Sequence, residues 1–288
     1  MRRGGGGAVT EAEQARLHSE DSPAIGADAP RWDVHPGTGP YLLLVHGFLS
    51  SRAQWGPNLE ALAAFCQPVT LELYGHGRSP SPADAALYNT RSYATSIDAI
   101  RESLGVERWF VCGYSLGATV TIRYALTHPQ RLYGHVFTNS ASAFAEQSLA
   151  GDWRTKAAAN AKRIRDGGRE ALDRIAVHPR RAKRLPPATY DALVADAEGI
   201  DPEGIAMAME HMMPTASVRS DLGANTRPAL LVCGRFEKRF AANRDFAATQ
   251  MPHLEIVDVD AGHAVNMTAT EAFNTAVERF VHANLAKA

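Results

Sequence analysis

The segment "FVCGYSLGATV" at residues 110–120 places Ser115 between two glycines, where an apolar, strand-like run gives way to a helix-like run. At the end of a parallel strand the chain must reverse sharply, and a side chain at the apex is held clear of the sheet in strained backbone geometry. The crowding excludes side chains two residues before and after the apex, which accounts for Gly113 and Gly117. This pattern is typical of a nucleophile elbow and predicts Ser115 as the nucleophile. The alternative is a glycine-rich turn with an incidental serine.

The chain around this turn alternates short apolar runs with stretches of helical periodicity. The apolar runs lie at 41–47, 68–77, 108–115, 132–139, 229–234 and 253–263. The helical patterns lie at 54–65, 91–104, 116–128, 239–250 and 269–285. Continuous apolar runs of this length are typical of strands buried on both faces. Their alternation with helices predicts an α/β fold with a parallel sheet and right-handed crossovers.

One long segment interrupts this alternation. Between "VFTNSASAF" and "RPALLVCG" the sequence has helical periodicity without any strand pattern. A connection of this length carries its own structure, and long insertions near a site are usually functional. We therefore predict a helical cap at 142–220, inserted into a core formed by 31–141 and 221–288. Residues 1–30 are rich in glycine, alanine and charge, which predicts a flexible N-terminal arm.

Composition excludes several classes of function. The 288 residues carry a net charge of −1 and are 45% hydrophobic, so nothing points to nucleic acid or an anionic membrane. Three widely spaced cysteines without a CxxC pair or metal-ligand spacing predict free thiols in a reducing compartment. The basic N-terminus lacks the apolar stretch of a secretory signal. We expect a cytoplasmic monomer or homodimer that needs no metal or organic cofactor and acts on a small molecule.

The predicted nucleophile needs a base and an acid. A serine hydroxyl is a weak nucleophile until a base takes its proton, and His263 follows the last apolar run in "DVDAGHAVN". An acid that orients the imidazole is expected just after "ALLVCG", where Glu237 stands in "GRFEKRF". Asp245 and Asp260 are the rival acids, one a helix further on and the other too close to the histidine along the strand. The order Ser, acid, His favours Glu237.

Two backbone amides are expected to bind the oxyanion of the tetrahedral intermediate. One is the amide of Leu116, directly after Ser115. The other is the amide of Phe48 in the loop after "YLLLVHG", where Gly47 lets the backbone approach a substrate closely. The alternative for this second loop is an ordinary turn between a strand and a helix.

Three further residues are predicted to line the substrate site. Tyr114 stands next to the nucleophile, and Met209 and Met213 belong to the methionine-rich run "MAMEHMMP" of the predicted cap. Methionine is unbranched and adapts to irregular apolar ligands, so an acyl- or aryl-binding wall is one interpretation. Packing of the cap against the core is the other.

The predicted cap is also asymmetric in charge. Basic residues outnumber acidic ones over 152–184, whereas every charged residue of 191–210 is acidic. A basic funnel for an anionic substrate is one hypothesis. The hypothesis that we favour is a pair of surface helices whose opposite charges face each other.

With these residues placed, the sequence over 32–285 resembles the α/β-hydrolase superfamily. The matching motifs are "HGF" at 46–48, Trp55, "ELYGHGRS" at 72–79, "GYSLG" at 113–117, "GRFEKRF" at 234–240 and "AGHAVN" at 261–266. The resemblance implies a mostly parallel, eight-stranded sheet flanked by helices, with an inserted cap and no cofactor. Glu72 and Glu237 stand where the family usually has aspartate.

Within the superfamily, "HGFLSS" and the end of the acid loop look like the cyclohexadiene-carboxylate synthases of menaquinone biosynthesis. In those enzymes the elbow continues Gly-Gly-Arg, and the arginine grips a substrate carboxylate. Here the run is Gly117-Ala118-Thr119, and Arg123 lies one helical turn deeper. We therefore expect a serine hydrolase that cleaves a carboxylic ester, thioester or lactone. The alternatives are a C–C hydrolase, a synthase-like lyase and a receptor with little turnover.

Overall fold

A seven-stranded sheet forms the centre of the computed structural model, which describes residues 28–146 and 150–287. Its strands are Trp32–Val34 (β1), Tyr41–Val45 (β2), Gln67–Leu71 (β3), Trp109–Gly113 (β4), Leu132–Thr138 (β5), Ala229–Gly234 (β6) and Leu254–Val259 (β7). Their order is β1-β3-β2-β4-β5-β6-β7. β1 pairs with β3 in the antiparallel sense, and all the other neighbours are parallel. The α/β fold class and the six predicted strands are confirmed.

The number of strands differs from the expectation, and the predicted N-terminal arm is not tested. The family resemblance implied eight strands, whereas the described residues form seven. β1, with the sequence "WDV", was not predicted because three residues are too few to show a strand pattern. The predicted arm at 1–30 falls almost wholly on residues 1–27, outside the described part of the chain.

Helices cover both faces of the sheet. They are Gly56–Ala63 (α1), Thr90–Ser103 (α2), Leu116–Thr127 (α3), Ala150–Asp173 (α4), Pro187–Ala197 (α5), Pro202–Met207 (α6), Ala241–Gln250 (α7), Val265–Thr268 (α8) and Thr270–Leu285 (α9). α2, α3 and α7 pack on one face, and α1 and α9 pack on the other. Successive residues of β2 face opposite sides of the sheet: Leu43 packs against α2 and α3, and Leu42 packs against α1 and α9. This arrangement buries every β2 strand residue after the first, as a doubly covered parallel sheet requires.

The segment between β5 and β6 contains α4, α5 and α6, with no strand among its described residues. α4 is kinked at Gly168, whose φ of 53° lies in the left-handed region. Leu49, in the loop after β2, is buried in one cluster with Ala161, Ile164 and Ile205 of this segment. The segment therefore packs directly against the loop that carries Phe48.

Opposite charges within this segment pair with one another. Arg165 on α4 lies 3.0 Å from Glu203 and 2.6 Å from Glu210, and Arg180 pairs with Glu198. These contacts support the hypothesis of facing helices of opposite charge over that of a basic funnel. Within the part of the chain that is described, no helix is long and apolar enough to cross a membrane. The cytoplasmic location stays a prediction.

Candidate active site

Ser115 occupies a strained turn between β4 and α3. Its φ of 52° and ψ of −113° are unusual for a residue with a side chain. A Cβ atom on Gly113 would lie 2.3 Å from Oγ1 of Thr121, and one on Gly117 would lie 2.3 Å from the carbonyl oxygen of Val45. Both glycines are therefore required by close packing, which is the reason that the sequence pattern suggested.

The structure brings the three predicted catalytic side chains into one hydrogen-bonded chain. Nε2 of His263 lies 2.9 Å from Oγ of Ser115, and Nδ1 of His263 lies 2.9 Å from Oε2 of Glu237. The rival acids lie elsewhere, because Asp245 pairs with Arg244 and Asp260 pairs with an arginine at the surface. This geometry matches a nucleophile, a base and an acid that orients the base.

Short connections after two neighbouring strands place the acid and the base. Glu237 follows β6 by three residues, and the amide of Phe236 donates to the carbonyl oxygen of Ala261 in the loop after β7. His263 lies in that same loop, two residues before the start of α8. The ring of Tyr114 packs edge-on against His263 with 5.2 Å between the centroids. The parallel pairing of β6 with β7 thus brings both loops to one edge of the sheet.

Asn139, which no sequence pattern marked, holds the side chain of Glu237 in place. Its Nδ2 donates to Oε2 of Glu237 at 2.7 Å and to the carbonyl oxygen of Gly234, whose amide donates back to Oδ1. Burial alone would raise the pKa of the Glu237 carboxyl, but hydrogen bonds from His263 and Asn139 and the charge of His263 outweigh burial and lower it. The side chain is thereby kept ionised.

Phe48 and Leu116 line the same cavity as Ser115, and the backbone amides of both lack an acceptor among the described residues. Leu116 is the first residue of α3, where an amide has no intrahelical acceptor, and in the described part of the chain neither it nor the amide of Phe48 makes a hydrogen bond. Gly47 lets the loop that carries Phe48 lie against Tyr114 and Ser115, because a Cβ atom at Gly47 would lie 2.8 Å from the ring of Tyr114 and 3.2 Å from Cβ of Ser115. The arrangement is suited to binding an oxyanion.

Two buried histidines hold the loop that carries Phe48. Nε2 of His76 accepts from the amide of Leu49 at 3.0 Å, and Nε2 of His46 accepts from the amide of Leu73 at 3.0 Å. Because an amide only donates, both Nε2 atoms are unprotonated and both rings are neutral. Burial lowers the pKa of His46 to about 4. Burial, together with the nearby ring of His46, lowers the pKa of His76 to about 3.

Glu72, which stands where the resemblance implied aspartate, belongs to an ionic cluster rather than to the group around Ser115. Its carboxylate is fully buried and lies 3.2 Å from Arg52 and 2.8 Å from Arg78. Arg78 also pairs with Asp33 on β1. The longer glutamate arm is accommodated by these two arginines, which fix the turn that contains His76.

A cavity of about 460 Å³ lies over Ser115 and His263. The lining residues are mostly apolar and include Phe48, Leu49, Tyr114, Leu116, Trp153, Val177, Leu185, Leu193, Met213 and Met267. Among the described residues that line it, none is Asp, Glu, Lys or Arg. Arg123 points elsewhere and pairs with Asp221 at 2.6 Å. The cavity is therefore suited to an uncharged substrate.

The predicted lining residues are not all in this cavity. Tyr114 and Met213 line it, whereas Met209 lines two other cavities and packs against a buried cluster that includes residues of α4. After α6 the chain continues as a π-type turn at Ala208–Met212, which changes the direction of the side chains in that turn. Met209 therefore does not line the cavity over Ser115, and its role in substrate binding stays a prediction. In the described ranges, no group of three His, Cys, Asp or Glu side chains could hold a metal ion.

Comparison with known proteins adds an independent line of information. A family model described as the alpha/beta hydrolase fold matches residues 40–270, a range that includes Ser115, Glu237 and His263. A carboxylesterase of Bacillus subtilis is 26% identical over 249 residues, which cover 85% of this chain and 81% of that protein. A putative 2-succinyl-6-hydroxy-2,4-cyclohexadiene-1-carboxylate synthase of the same organism is 22% identical over 264 residues, covering 86% and 93%.

Solved structures show the same architecture. MenH from S. aureus superposes with a TM-score of 0.79 at 19% identity, covering 88% of this chain and 98% of that one. The enol-lactonase from Burkholderia xenovorans LB400 superposes with a TM-score of 0.74 at 22% identity, covering 88% and 97%. At such low identity these similarities show the fold, while the chemistry must be argued from the site.

Proposed function

The chain belongs to the alpha/beta hydrolase fold family, and on that premise we propose that it is a cofactor-independent serine hydrolase acting on uncharged carboxylic esters, thioesters or lactones. The resemblance inferred from the motifs is confirmed by the family match. The observation that carries the proposal is the hydrogen-bonded chain from Ser115 through His263 to Glu237. The carboxylesterase relative supports the same class of reaction.

The reaction proceeds through an acyl-enzyme. Oγ of Ser115 attacks the carbonyl carbon while Nε2 of His263 takes its proton, and the amides of Phe48 and Leu116 bind the resulting oxyanion. The C–O or C–S bond to the leaving group breaks, and His263 returns the proton to the departing alcohol or thiol. Water then attacks the acyl-enzyme with His263 again as base, which releases the acid and restores the serine. Glu237 stabilises the imidazolium formed in both steps.

We infer that the helical segment 142–220 acts as the cap that closes this site. Trp153, Val177 and Met213 of the segment line the cavity above the nucleophile. Leu49, beside the oxyanion amide of Phe48, is buried against α4. The sheet therefore carries the reacting groups, and the cap contributes the walls that contact the rest of the substrate.

A synthase-like lyase is the second candidate, since one relative carries that name. The compound in that relative's name is a carboxylate. A carboxylate in this cavity would find no Lys or Arg among the described lining residues. Burying an unpaired charge is strongly unfavourable. The cavity therefore favours the hydrolase over the lyase.

The test compares two p-nitrophenyl esters of equal length, the butyrate and the monoester of succinic acid. These differ by a terminal methyl group against a terminal carboxylate. We expect kcat/KM for the butyrate to exceed that for the succinate by at least about a hundredfold, because the carboxylate lacks a partner in the cavity. The Ser115→Ala variant supplies the background. Equal rates, or a preference for the succinate, would contradict the proposed substrate class.

A further inference from the structure

A second cavity adjoins the one over Ser115. Its volume is about 260 Å³, and it is lined by Trp153, Lys156, Ala157, Asn160, Met209 and Met213. Trp153 and Met213 line both cavities, so the two spaces meet at these side chains. Both side chains are partly buried, between α4 on one side and the methionine-rich turn on the other.

The interior of this second cavity is apolar. Its two polar lining residues are engaged elsewhere, because Nζ of Lys156 pairs with Asp152 at 2.6 Å and Oδ1 of Asn160 accepts from Arg163 at 2.7 Å. Lysine often lays its methylene stem along apolar surface while its charged end stays in water. The surfaces left to a ligand are therefore mostly apolar: the indole, two methionine side chains and the methyl group of Ala157, beside Nδ2 of Asn160.

We propose that this second cavity is a subsite for the hydrocarbon tail of the ester, with the carbonyl group at Ser115. The inference rests on the proposed function and extends it to substrates of medium chain length. A short ester fills only the first cavity, whereas a longer chain passes between Trp153 and Met213 toward Met209. Methionine adapts to flexible chains, so this boundary can yield to a passing tail. Either the acyl or the alcohol part of the ester could supply such a tail.

The tail is held by the hydrophobic effect. Each buried methylene is expected to raise kcat/KM about fourfold once the chain reaches the second cavity. Methylenes buried by the apolar walls of the first cavity gain in the same way. With the second cavity open, the rise in kcat/KM should therefore continue beyond the chain length that fills the first cavity.

The test measures kcat/KM for a series of p-nitrophenyl esters from acetate to decanoate, and for acetate esters of alcohols from ethanol to decanol. Met209→Trp fills the second cavity and should stop the rise for the longer chains in one of the two series, with the rate on p-nitrophenyl acetate as the internal reference for each variant. The affected series identifies which part of the ester carries the tail. Met207→Trp is the matched control, because Met207 lines neither cavity.

A variant of opposite effect guards against a folding defect in Met209→Trp. Trp153→Ala removes part of the boundary and should move the optimum to longer chains. An equal effect of Met209→Trp and Met207→Trp at every chain length, with no shift in Trp153→Ala, would overturn the subsite.

A binding measurement separates this proposal from the proposed function. In Ser115→Ala, we expect 1-octanol to raise Tm more than 1-butanol does, and Met209→Trp to remove that difference. Octanol binding without hydrolysis of any ester would contradict the hydrolase while supporting the subsite. Hydrolysis of short esters without a difference between the alcohols would contradict the subsite alone.

Discussion

Asn139 donates a 2.7 Å hydrogen bond to Oε2 of Glu237, the same oxygen that lies 2.9 Å from Nδ1 of His263. Asn139 is itself fixed by two hydrogen bonds with the backbone of Gly234, at the end of the neighbouring strand. The acid of the proposed triad is thus held by the sheet as well as by its own short loop.

Loss of this donor should change the pH dependence of hydrolysis. In Asn139→Ala the pKa of Glu237 should rise, because burial is then less opposed, and the acid side of the kcat/KM profile should move to higher pH. Asn139→Asp adds a like charge and should move it further. At neutral pH we expect a loss of about tenfold in Asn139→Ala.

The buried Asn225 serves as the control for this experiment, since it contacts His135 outside the site. Asn225→Ala should leave the pH at which activity falls unchanged, because the hydrogen bond of Asn225 goes to His135. A uniform loss at every pH in Asn139→Ala, without a shift of the profile, would argue for a purely structural role.

The identity of the acid can be tested by removing its charge. Glu237→Gln keeps the shape and should lower kcat by about two to four orders of magnitude with KM little changed. Asp260→Asn and Asp245→Asn are the matched controls, because both carboxylates pair with arginines away from His263. If Glu237→Gln keeps normal activity while one of the two aspartate variants loses it, that aspartate is the catalytic acid.

The close packing of the elbow predicts unequal effects of Gly→Ala substitutions. Gly117→Ala places a methyl group 2.3 Å from a backbone oxygen of β2 and should lower the free energy of unfolding by about 1–3 kcal/mol or more. Gly151→Ala on α4 meets nothing within 4 Å and should be neutral or slightly stabilising. Urea titration of both variants measures the difference, and equal stabilities would contradict the packing argument.

Buried neutral histidines predict loss of stability in acid. The folded-state pKa values of His46, His76 and His135 are about 4, 3 and 4, below the ordinary 6.5. At a pH between the folded and the ordinary pKa values, the unfolded chain binds more protons than the folded protein does. The free energy of unfolding is therefore highest above pH 6.5 and falls as the pH is lowered toward 4. Each histidine contributes a slope of about 1.4 kcal/mol per pH unit within that window.

Denaturant titrations between pH 7 and pH 4 measure this slope. His135→Asn, at a site away from the nucleophile, should make the slope shallower by the contribution of one histidine. An unchanged slope in that variant would show that His135 does not remain neutral in the folded protein.

Local sequence patterns and the order of the residues along the chain made much of the candidate site predictable. Ser115 is marked by glycines two residues away, and His263 by its position after the last strand, so both could be identified without a three-dimensional structure. Asn139 could not, because it carries no local pattern and its partner Glu237 lies 98 positions further along the chain. Only the pairing of β5 with β6 brings the two together.

The methionines show a different limit of sequence reasoning. Met209 and Met213 have the spacing of one helical face, and both do line the second cavity. Only Met213 reaches the cavity over Ser115, because the π-type turn at Ala208–Met212 departs from regular helical geometry. Such a local change in helix type has no reliable pattern in a single sequence.

The most direct test of the account is the rate of p-nitrophenol release from p-nitrophenyl acetate by the wild-type protein and by Ser115→Ala at equal concentration. The wild type should turn over repeatedly, and Ser115→Ala should lose at least about three orders of magnitude in kcat while keeping its Tm, because the nucleophile alone is removed. More than about a tenth of wild-type activity in a folded Ser115→Ala would contradict the proposed mechanism.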